Sequence, residues 1–387
     1  MKLLVFCNIA PQRWGAFESL LAAINYECDS AGDRMHVVFG GNPSKDVADR
    51  LQRDGIEWEV ILGWDNGKGG TRPWRFCLPA TRIIRRIKPD VVAVHFGNEI
   101  PSVVALLLSR ILAGSRIRWI WHQRQQIKSP NIATRHVSRL RLASLAFDHF
   151  VASYEGGKSS LLARGIKADR ISVIYNSIGP FEPAKEKGWL RRELGISSNS
   201  VVVINVGWLV PRKRTHISIT AFEQALRMLE ADAHLIVVGS GPNEPALRKQ
   251  SDQSLLKGKV HFLGERNDVR DVLAECDILV HSSEAETCTN VVQEAMSVSV
   301  PTVMTDAGAA HEQIEDGISG FVVPRDDTDG LAARLALLMK DCERRIRQGK
   351  MAKRRWEKMF QLSASATAHH CLYHAIVVGK ELRSKAL

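Results

Sequence analysis

Several features typical of membrane-spanning, secreted and repetitive proteins are scarce in this sequence of 387 residues. Its wholly apolar stretches, such as residues 103–108, are far shorter than the ~20 residues that cross a bilayer, and the N-terminal apolar run leads into a polar loop. The seven cysteines include no C-x-x-C pair, which argues against a disulfide framework and a zinc ribbon. We find no 20–50-residue repeat and no low-complexity tract. We therefore expect a cytoplasmic protein without a membrane span or a signal peptide.

The composition is that of an ordinary globular protein, with 45% hydrophobic and 25% charged residues. At ~100–200 residues per domain, the length predicts two domains. Residues 1–180 carry +10 of the net charge of +11, with 25 basic against 15 acidic side chains. Residues 82–141 alone hold 12 basic and two acidic residues. This stretch predicts either a solvated basic face or a surface for an anionic partner such as phospholipid, a lipid phosphate or nucleic acid.

The order of apolar and amphipathic stretches predicts the fold class. Seven strand-like apolar runs in the first half and six in the second alternate with longer amphipathic stretches, which is the βαβ pattern. We predict an α/β protein with two Rossmann-like, doubly wound parallel-sheet domains that face each other across a cleft. Because residues 178–188 are rich in proline, glycine and charge, the domains are placed at 1–177 and 178–362. A C-terminal helix, 363–387, is expected to pack back on the first domain.

One segment of the second half, residues 282–296, has the pattern of a phosphate-binding site. It follows a strand-like run and opens a predicted helix, with Glu286 in the loop and Glu294 about one turn into the helix. The first-turn N–H groups of Thr289, Asn290 and Val291 lie at the positive end of the helix dipole, which suits a diphosphate. A carboxylate beside them can accept hydrogen bonds from a ribose diol.

This segment resembles the family-four glycosyltransferases, which are retaining enzymes of the GT-B architecture that use nucleotide sugars. Their E-x7-E signature is matched by Glu286 and Glu294. The resemblance implies that Glu294 binds the ribose of the donor and that Glu286 contacts the transferred sugar. It also implies that the second domain binds the nucleotide sugar and that the first binds the acceptor.

A basic loop extends the resemblance. In the family, a loop reading G-R-x-x-x-x-K supplies an Arg and a Lys to the donor diphosphate, and residues 207–213 match it with Lys213 in place but Trp208 where the Arg belongs. A cationic clamp is needed because the leaving diphosphate gains charge as the sugar bond breaks. Arg212 and Arg214 are candidates to compensate for the missing Arg. Without the resemblance, this loop reads as a solvated basic turn.

Further matches lie on both sides of this region. Arg266 follows an F-L-G strand end whose loop meets the nucleobase in the family, and residues 306–324 match G-G-x-x-E and D-G-x-x-G-x-x-x-P elements. In the first half, His95 and His122 end two neighbouring strand-like runs, where the family has a His that hydrogen-bonds the donor sugar; a buried or capping role is the alternative. Gly15 keeps one glycine of the family's G-G-x-E loop on the acceptor side.

The sequence thus predicts a retaining, hexosyltransferase-type enzyme of class EC 2.4 that moves a sugar from a UDP- or GDP-linked donor to an acceptor hydroxyl. We expect it to act in the biosynthesis of cell-surface polysaccharide, lipopolysaccharide or glycolipid, on a glycan or lipid-linked acceptor. Peripheral contact with the anionic inner face of the plasma membrane is expected from the basic stretch. No cofactor and no metal ion are expected, since the sequence shows no D-x-D in the usual position and no His/Cys cluster. The predicted catalytic residues are Glu286, His122 and Lys213; the donor-binding residues are Glu294, Arg212, Thr289, Asn290, Val291 and Arg266; the acceptor-side residues are Gly15 and His95.

Three other functions remain open at this point. A nucleotide-sugar epimerase would turn the donor over with no acceptor present. A degenerate, regulatory member of the fold is suggested by Trp208 and by the altered glycines. A nucleic-acid-binding protein is the least favoured, because the aromatic residues of the basic stretch lie within or at the ends of apolar runs and do not interleave with arginines.

Overall fold

The computed structural model describes residues 1–7, 32–61, 73–95, 100–114, 116–123, 144–229, 231–252 and 255–379. By its contacts the chain divides into two units, one of residues 1–177 with 362–387 and one of residues 178–361. Gly15 and the greater part of the loop that follows the first strand lie outside the described residues, as do residues 96–99 and 124–143 of the basic stretch.

The first unit is built on a seven-stranded parallel sheet in the order β3-β2-β1-β4-β5-β6-β7. Its central strands are short, largely apolar runs that are buried on both faces, as parallel sheets require, whereas the edge strand β3 is partly exposed. The strands are β1 (Lys2–Cys7), β2 (Arg34–Phe39), β3 (Glu57–Val60), β4 (Val91–His95), β5 (Arg118–Gln123), β6 (His149–Ala152) and β7 (Ile171–Val173). The helices are α1 (Lys45–Arg53), α2 (Pro73–Ile87), α3 (Ile100–Ala113) and α4 (Glu155–Leu162). Phe6, Trp119, Trp121 and Phe150 form much of the core on one face of this sheet.

The second unit contains a six-stranded parallel sheet in the order β10-β9-β8-β11-β12-β13. The strands are β8 (Val201–Val206), β9 (Ala233–Val238), β10 (Val260–Gly264), β11 (Ile278–His281), β12 (Thr302–Thr305) and β13 (Gly320–Val323). The helices are α5 (Trp189–Leu194), α6 (Thr215–Met228), α7 (Glu244–Ser251), α8 (Val269–Ala274), α9 (Asn290–Ser297), α10 (Ala310–Gln313), α11 (Thr328–Lys340) and α12 (Cys342–Met359). One face of the sheet is packed by Phe222 of α6 and by Leu331 and Leu335 of α11.

The predicted fold class is confirmed, with seven and six parallel strands in two doubly wound units. In each sheet the strand order reverses beside the first strand, between β1 and β4 in one unit and between β8 and β11 in the other. Several strand bounds differ from the prediction by one or two residues; β5, expected over 117–121, runs through Gln123, so that His122 belongs to the strand.

The last described helix, α13 (Leu362–Val378), returns to the first unit. Leu372 and Tyr373 are buried against Val5 of β1 and Ile120 of β5, on the sheet face opposite Trp119. At the start of the helix, Ser365 donates a hydrogen bond to the carbonyl oxygen of Tyr175 at 3.3 Å. One face of the first sheet is therefore covered by a segment that is distant in sequence.

Two further expectations can be compared with the described residues. Within them, no helix has both the length and the apolar character needed to cross a membrane. Six of the seven cysteines lie in the described ranges, and all six are free thiols, four of them buried. The scattered spacing of the cysteines predicted this.

Candidate active site

The candidate site lies where β8 and β11 run side by side at the centre of the second sheet. The chain winds outward from these two strands in opposite directions, so the loops after them diverge at the carboxyl edge of the sheet. Ligands of open α/β sheets bind at this kind of position. The β8 loop, residues 207–214, contains a short 3-10 helix at Pro211–Lys213, and the β11 loop, residues 282–289, precedes α9.

The two loops are joined by a hydrogen-bond network. The backbone N–H of Glu284 donates to the carbonyl oxygen of Arg212 at 2.9 Å, and the hydroxyl of Ser282 donates to the carbonyl oxygen of Arg214 at 2.7 Å. The hydroxyls of Ser218 and Ser282 are 2.8 Å apart and fully buried. In a low-dielectric interior such bonds strengthen and rigidify one another. The network therefore fixes the β8 loop against the β11 loop.

Three charged or polar side chains meet at the centre of these loops. Lys213 Nζ lies 2.5 Å from Glu286 Oε1, and His281 Nε2, at the end of β11, lies 3.2 Å from the same oxygen. The Glu286 side chain is 10% exposed, so its charge is largely removed from water. An ion pair in this position needs good geometry and further hydrogen bonds to offset its desolvation, and His281 supplies one.

The charge states follow from these contacts. Burial alone would raise the pKa of Glu286, but the hydrogen bonds and charges of His281 and Lys213 outweigh it and hold that pKa well below its usual range. Burial lowers the pKa of His281. At neutral pH we therefore assign a neutral imidazole that donates its Nε2 hydrogen to an ionised Glu286, whose charge is balanced by Lys213.

The arginines beside Lys213 have different surroundings. Arg212 donates to the carbonyl oxygen of Ala285 at 2.6 Å and lies 3.9 Å from Glu286, within the same cluster. Arg214 instead binds Asp326 at 3.0 Å and the carbonyl oxygen of Arg325. Of the two candidates to replace the family arginine lost at Trp208, only Arg212 is close to Glu286.

Glu294 is the fifth residue of α9, as the spacing predicted. Its side chain is partly exposed, and within the described chain it makes no hydrogen bond and no ion pair. Burial raises its pKa, and the positive charge of Arg270 opposes this. Arg270 itself is held by the carbonyl oxygen of Gly179 at 2.7 Å. Glu294 thus presents a carboxylate whose oxygens are available to donors from a ligand.

The start of α9 differs from the prediction at one residue. The N–H of Thr289 is not available, because it donates to Gln313 Oε1 at 3.0 Å while Gln313 returns a hydrogen bond to the carbonyl oxygen of Thr289 at 2.9 Å. Gln313 is fully buried, so its amide caps the backbone of the helix start from within the protein. Asn290 is the first residue of α9, and the N–H of Val291 has no acceptor among the described residues.

Arg266 is bound elsewhere. Its guanidinium forms two hydrogen bonds of 2.7 Å with Asp268, which also binds Lys185 at 2.6 Å. Both cations lie over the ring of Trp189, at 3.7 Å for Lys185 and 5.5 Å for Arg266. None of the contacts described for Arg266 links it to Glu286 or Glu294, so its expected part in donor binding stays a prediction.

The predicted histidines of the first unit lie in its interior. His95 and His122 are paired across β4 and β5, and their rings stack at 4.1 Å. The ring of His369 from α13 stacks on His122 at 5.4 Å, and Tyr373 Oη lies 2.8 Å from His122 Nε2. All four side chains are 1% exposed or less. The expected contact of His95 or His122 with a sugar stays a prediction, and it would require either ring to become accessible.

Several residues of the site escaped the sequence reasoning. His281 had a signal, because it ends a buried apolar strand directly before the loop of Glu286. Gln313 and Arg270 had none, since each depends on packing between segments that are distant in sequence. Ser282 and Ser218 read as ordinary loop and helix residues, although together they connect the two loops.

Comparison with known proteins decides the family. Residues 187–355 match the family model for Glycosyl transferases group 1, and residues 24–180 match the model for Glycosyltransferase Family 4. The chain belongs to the family-four glycosyltransferases. Its two parallel-sheet units are those of the GT-B fold, which its structural neighbours share.

Individual relatives of this glycosyltransferase are distant. It is 24% identical to N-acetyl-alpha-D-glucosaminyl L-malate synthase of Bacillus anthracis, over 76% of this chain and 77% of that protein. It is 26% identical to GDP-mannose-dependent alpha-mannosyltransferase of Mycobacterium tuberculosis, over 82% of each chain. The crystal structure of HepE from Anabaena in complex with UDP superimposes with a TM-score of 0.80 at 22% identity, covering 97% of this chain and 100% of that one.

We predict that the two signature glutamates of this glycosyltransferase have opposite effects on stability. Glu286→Gln leaves Lys213 without its partner and lowers the free energy of unfolding by about 1.5–3 kcal/mol, the contribution of a hydrogen bond to a charged group. Glu294→Gln raises the melting temperature at neutral pH, because a carboxyl whose folded pKa is raised destabilises the protein above its unfolded pKa. Thermal melts at pH 7 measure both shifts.

The pH dependence provides the control for this pair. The stabilisation from Glu286 is present above its unfolded pKa and is lost as the pH falls through its lowered folded pKa, so the deficit of Glu286→Gln shrinks in acid. The gain of Glu294→Gln also shrinks in acid, as the wild-type carboxyl takes up its proton. A shift of the same sign for both variants at pH 7 would contradict the charge states assigned here.

Gly308 supports the loop of Glu286, and we predict that it cannot be replaced. It has φ of +61°, and a Cβ there would overlap the carbonyl oxygens of Glu286 and Thr287. Gly317 has a similar φ of +75° with open space around it, so Gly317→Ala is the matched control. We expect Gly317→Ala to cost about 1–2 kcal/mol, the strain of the left-handed conformation, and Gly308→Ala to cost clearly more in urea unfolding. Equal losses would show that Gly308 does not position the loop.

Proposed function

We propose that this glycosyltransferase moves a sugar from a UDP- or GDP-linked donor to an acceptor hydroxyl with retention of the anomeric configuration. The observation that carries the proposal is the pair of loops after β8 and β11, which holds Lys213 against Glu286. Beside them, α9 adds the open carboxylate of Glu294. A cation, an ionised carboxylate and a second carboxylate at a switch point suit a sugar linked to a diphosphate.

We propose that Glu294 binds the ribose of the donor. A diol donates two hydrogen bonds to one carboxylate, and such donors favour the charged form of a group whose pKa burial has raised. The N–H of Val291 lies in the first turn of the same helix, where the positive end of the helix dipole attracts an anion. Ribose and diphosphate would then be held by a single helix start.

We propose that Lys213 and Arg212 balance the negative charge of the leaving diphosphate. As the bond to the sugar breaks, charge builds on the phosphate and positive charge builds on the sugar. Lys213 and Arg212 can stabilise the first, and the ionised Glu286, held by His281, can stabilise the second. These two cations would do the work of a metal ion, and we propose that transfer needs none.

The names of the reported relatives support a nucleotide-sugar donor, but they do not distinguish a UDP-linked from a GDP-linked sugar. The Mycobacterium tuberculosis relative is named as GDP-mannose-dependent, whereas the HepE structure contains UDP. The acceptor is proposed to be a glycan or a lipid-linked glycan of cell-surface polysaccharide, lipopolysaccharide or glycolipid biosynthesis, bound by the first unit. Trp208, which is 59% exposed in the β8 loop, favours a second candidate, a regulatory protein that binds the nucleotide without transfer.

A surface of the first unit supports contact with a lipid bilayer. Large apolar side chains of α2 and α3 are exposed, namely Leu78, Leu108, Ile111 and Leu112. Arginines of the same helices accompany them, and Arg85 of α2 donates to the carbonyl oxygen of Leu112 at 3.0 Å. Apolar groups beside basic ones are the pattern of a peripheral membrane surface. We therefore propose that this face binds the anionic inner leaflet, where a lipid-linked acceptor is found.

Calorimetric titration with UDP, GDP, ADP and CMP tests the donor site. We expect one nucleotide diphosphate to bind best, and Glu294→Ala to weaken it at least tenfold, or about 1.4 kcal/mol. Glu284→Ala is the matched control, because this exposed glutamate lies in the loop that precedes α9 and only its backbone takes part in the network. Unchanged affinity in Glu294→Ala would remove the ribose assignment.

Turnover with the sugar form of that nucleotide then separates the reactions. Transfer to an acceptor, with the product anomer assigned by NMR, is expected to show retention and to survive a chelator. Inversion would overturn the proposed stereochemistry, and loss of activity with the chelator would overturn independence from metal. Isomerisation of the donor with no acceptor present would indicate an epimerase. Binding without turnover would favour the regulatory reading.

Sedimentation with anionic liposomes tests the membrane face. Leu108→Ser/Ile111→Ser is expected to reduce the bound fraction at least tenfold, since each large apolar side chain contributes about 1.5–3 kcal/mol when buried. Met228→Ser/Ile346→Ser, which removes two exposed apolar residues of the second unit, is the control. Raised salt should also release the protein. Equal binding of both double variants would exclude this face.

A further inference from the structure

Three potential metal ligands meet on the first unit, apart from the residues assigned to sugar transfer. Asp33 directly precedes β2, and His370 and His374 lie one turn apart on α13. Residues four apart on a helix share one face, and the two imidazole rings lie 4.2 Å apart. One donor atom from each of the three residues lies within 4.8 Å of the others.

The distances suit a tetrahedral ion. With metal–ligand bonds of about 2.0–2.2 Å, two ligands of a tetrahedral site are about 3.3 Å apart. His374 Nε2 lies 3.1 Å from Asp33 Oδ2, and His370 Nδ1 lies 3.6 Å from the same oxygen. Both distances lie within a few tenths of an ångström of this value, and the donor atoms of the two histidines lie within 4.8 Å of each other.

The surroundings of the cluster favour a cation. The Asp33 side chain is 4% exposed, so its charge needs positive partners, of which the amino group of Met1 is one. Its other oxygen, Oδ1, is bound by the amino group of Met1 at 2.5 Å, which leaves Oδ2 to the histidines. The imidazoles of His370 and His374 are 24% and 41% exposed, so an ion can enter from solvent.

We propose that Asp33, His370 and His374 form a binding site for a divalent transition-metal ion such as Zn²⁺. Two imidazoles and one carboxylate are a ligand set that Zn²⁺ accepts, and water would complete the tetrahedron. The H-x3-H spacing is visible in the sequence, but the carboxylate lies 341 residues from His374 and is brought to it by the return of α13. The ion would connect α13 to the start of β2 and so stabilise the first unit.

Calorimetric titration of the full chain, first freed of metal with a chelator, tests the site with Zn²⁺ as the probe. We expect one ion per chain, and at least tenfold weaker binding in His370→Ala and in His374→Ala. Two controls are expected to bind like the wild type. His311→Ala removes an exposed imidazole that lies 3.7 Å from Asp306, and Cys371→Ser removes the exposed thiol next to His370.

Two further measurements test the geometry of the site and its effect on stability. Co²⁺ should give the visible absorption of a tetrahedral site in the wild type and not in His370→Ala/His374→Ala. Zn²⁺ should raise the melting temperature of the wild type but not of that double variant, because an ion that binds only the folded state stabilises it. Binding of Zn²⁺ that is equally tight in the double variant, or no binding to the wild type, would overturn the proposal. Neither result depends on whether the protein transfers sugar.

Discussion

The ion pair of Lys213 and Glu286 is the interaction on which the second unit's site depends. It joins the loops of two adjacent strands whose chains then wind away from each other, and it adds a charged contact to the hydrogen bonds between those loops. Because Glu286 is nearly buried, separating the pair would leave a charge without compensation. The serine network beneath it and Gly308 beside it both keep the two loops at the distance that the pair requires.

The two signature glutamates show how one motif can contain two kinds of carboxylate. Glu286 has a neutral imidazole and an ammonium group as partners, whereas among the described residues Glu294 has only the more distant charge of Arg270. The carboxylate of Glu286 is held in place by these partners in the absence of a ligand. The carboxylate of Glu294 makes no hydrogen bond to the described residues. A ligand with paired hydroxyls would donate to this carboxylate and so offset part of the desolvation that raises its pKa.

Much of the fold could be predicted, because each strand of a parallel sheet is a short apolar run that is visible in the sequence. The positions of Glu286, Glu294 and Lys213 could be predicted too, since each is set by its distance from such a run. Contacts made by residues that are distant in sequence could not be predicted. Gln313 takes the N–H of Thr289 that had been expected to face a phosphate, and α13 covers the ring of His122. The return of a C-terminal helix to the first domain was expected, but no local pattern records which side chains such a segment covers.

The return of α13 has a consequence for synthesis of the protein on the ribosome. The first sheet is complete once residue 173 has emerged, yet one of its apolar faces waits for Leu372 and Tyr373. The intervening 184 residues of 178–361 form the whole of the second unit. At ~5–20 residues per second, their translation takes about 10–40 s. The unit that begins first is thus the last to be finished. A chain truncated before α13 would expose the part of this face that Leu372 and Tyr373 cover, whereas Val47 and Leu51 of α1 would still pack on the rest.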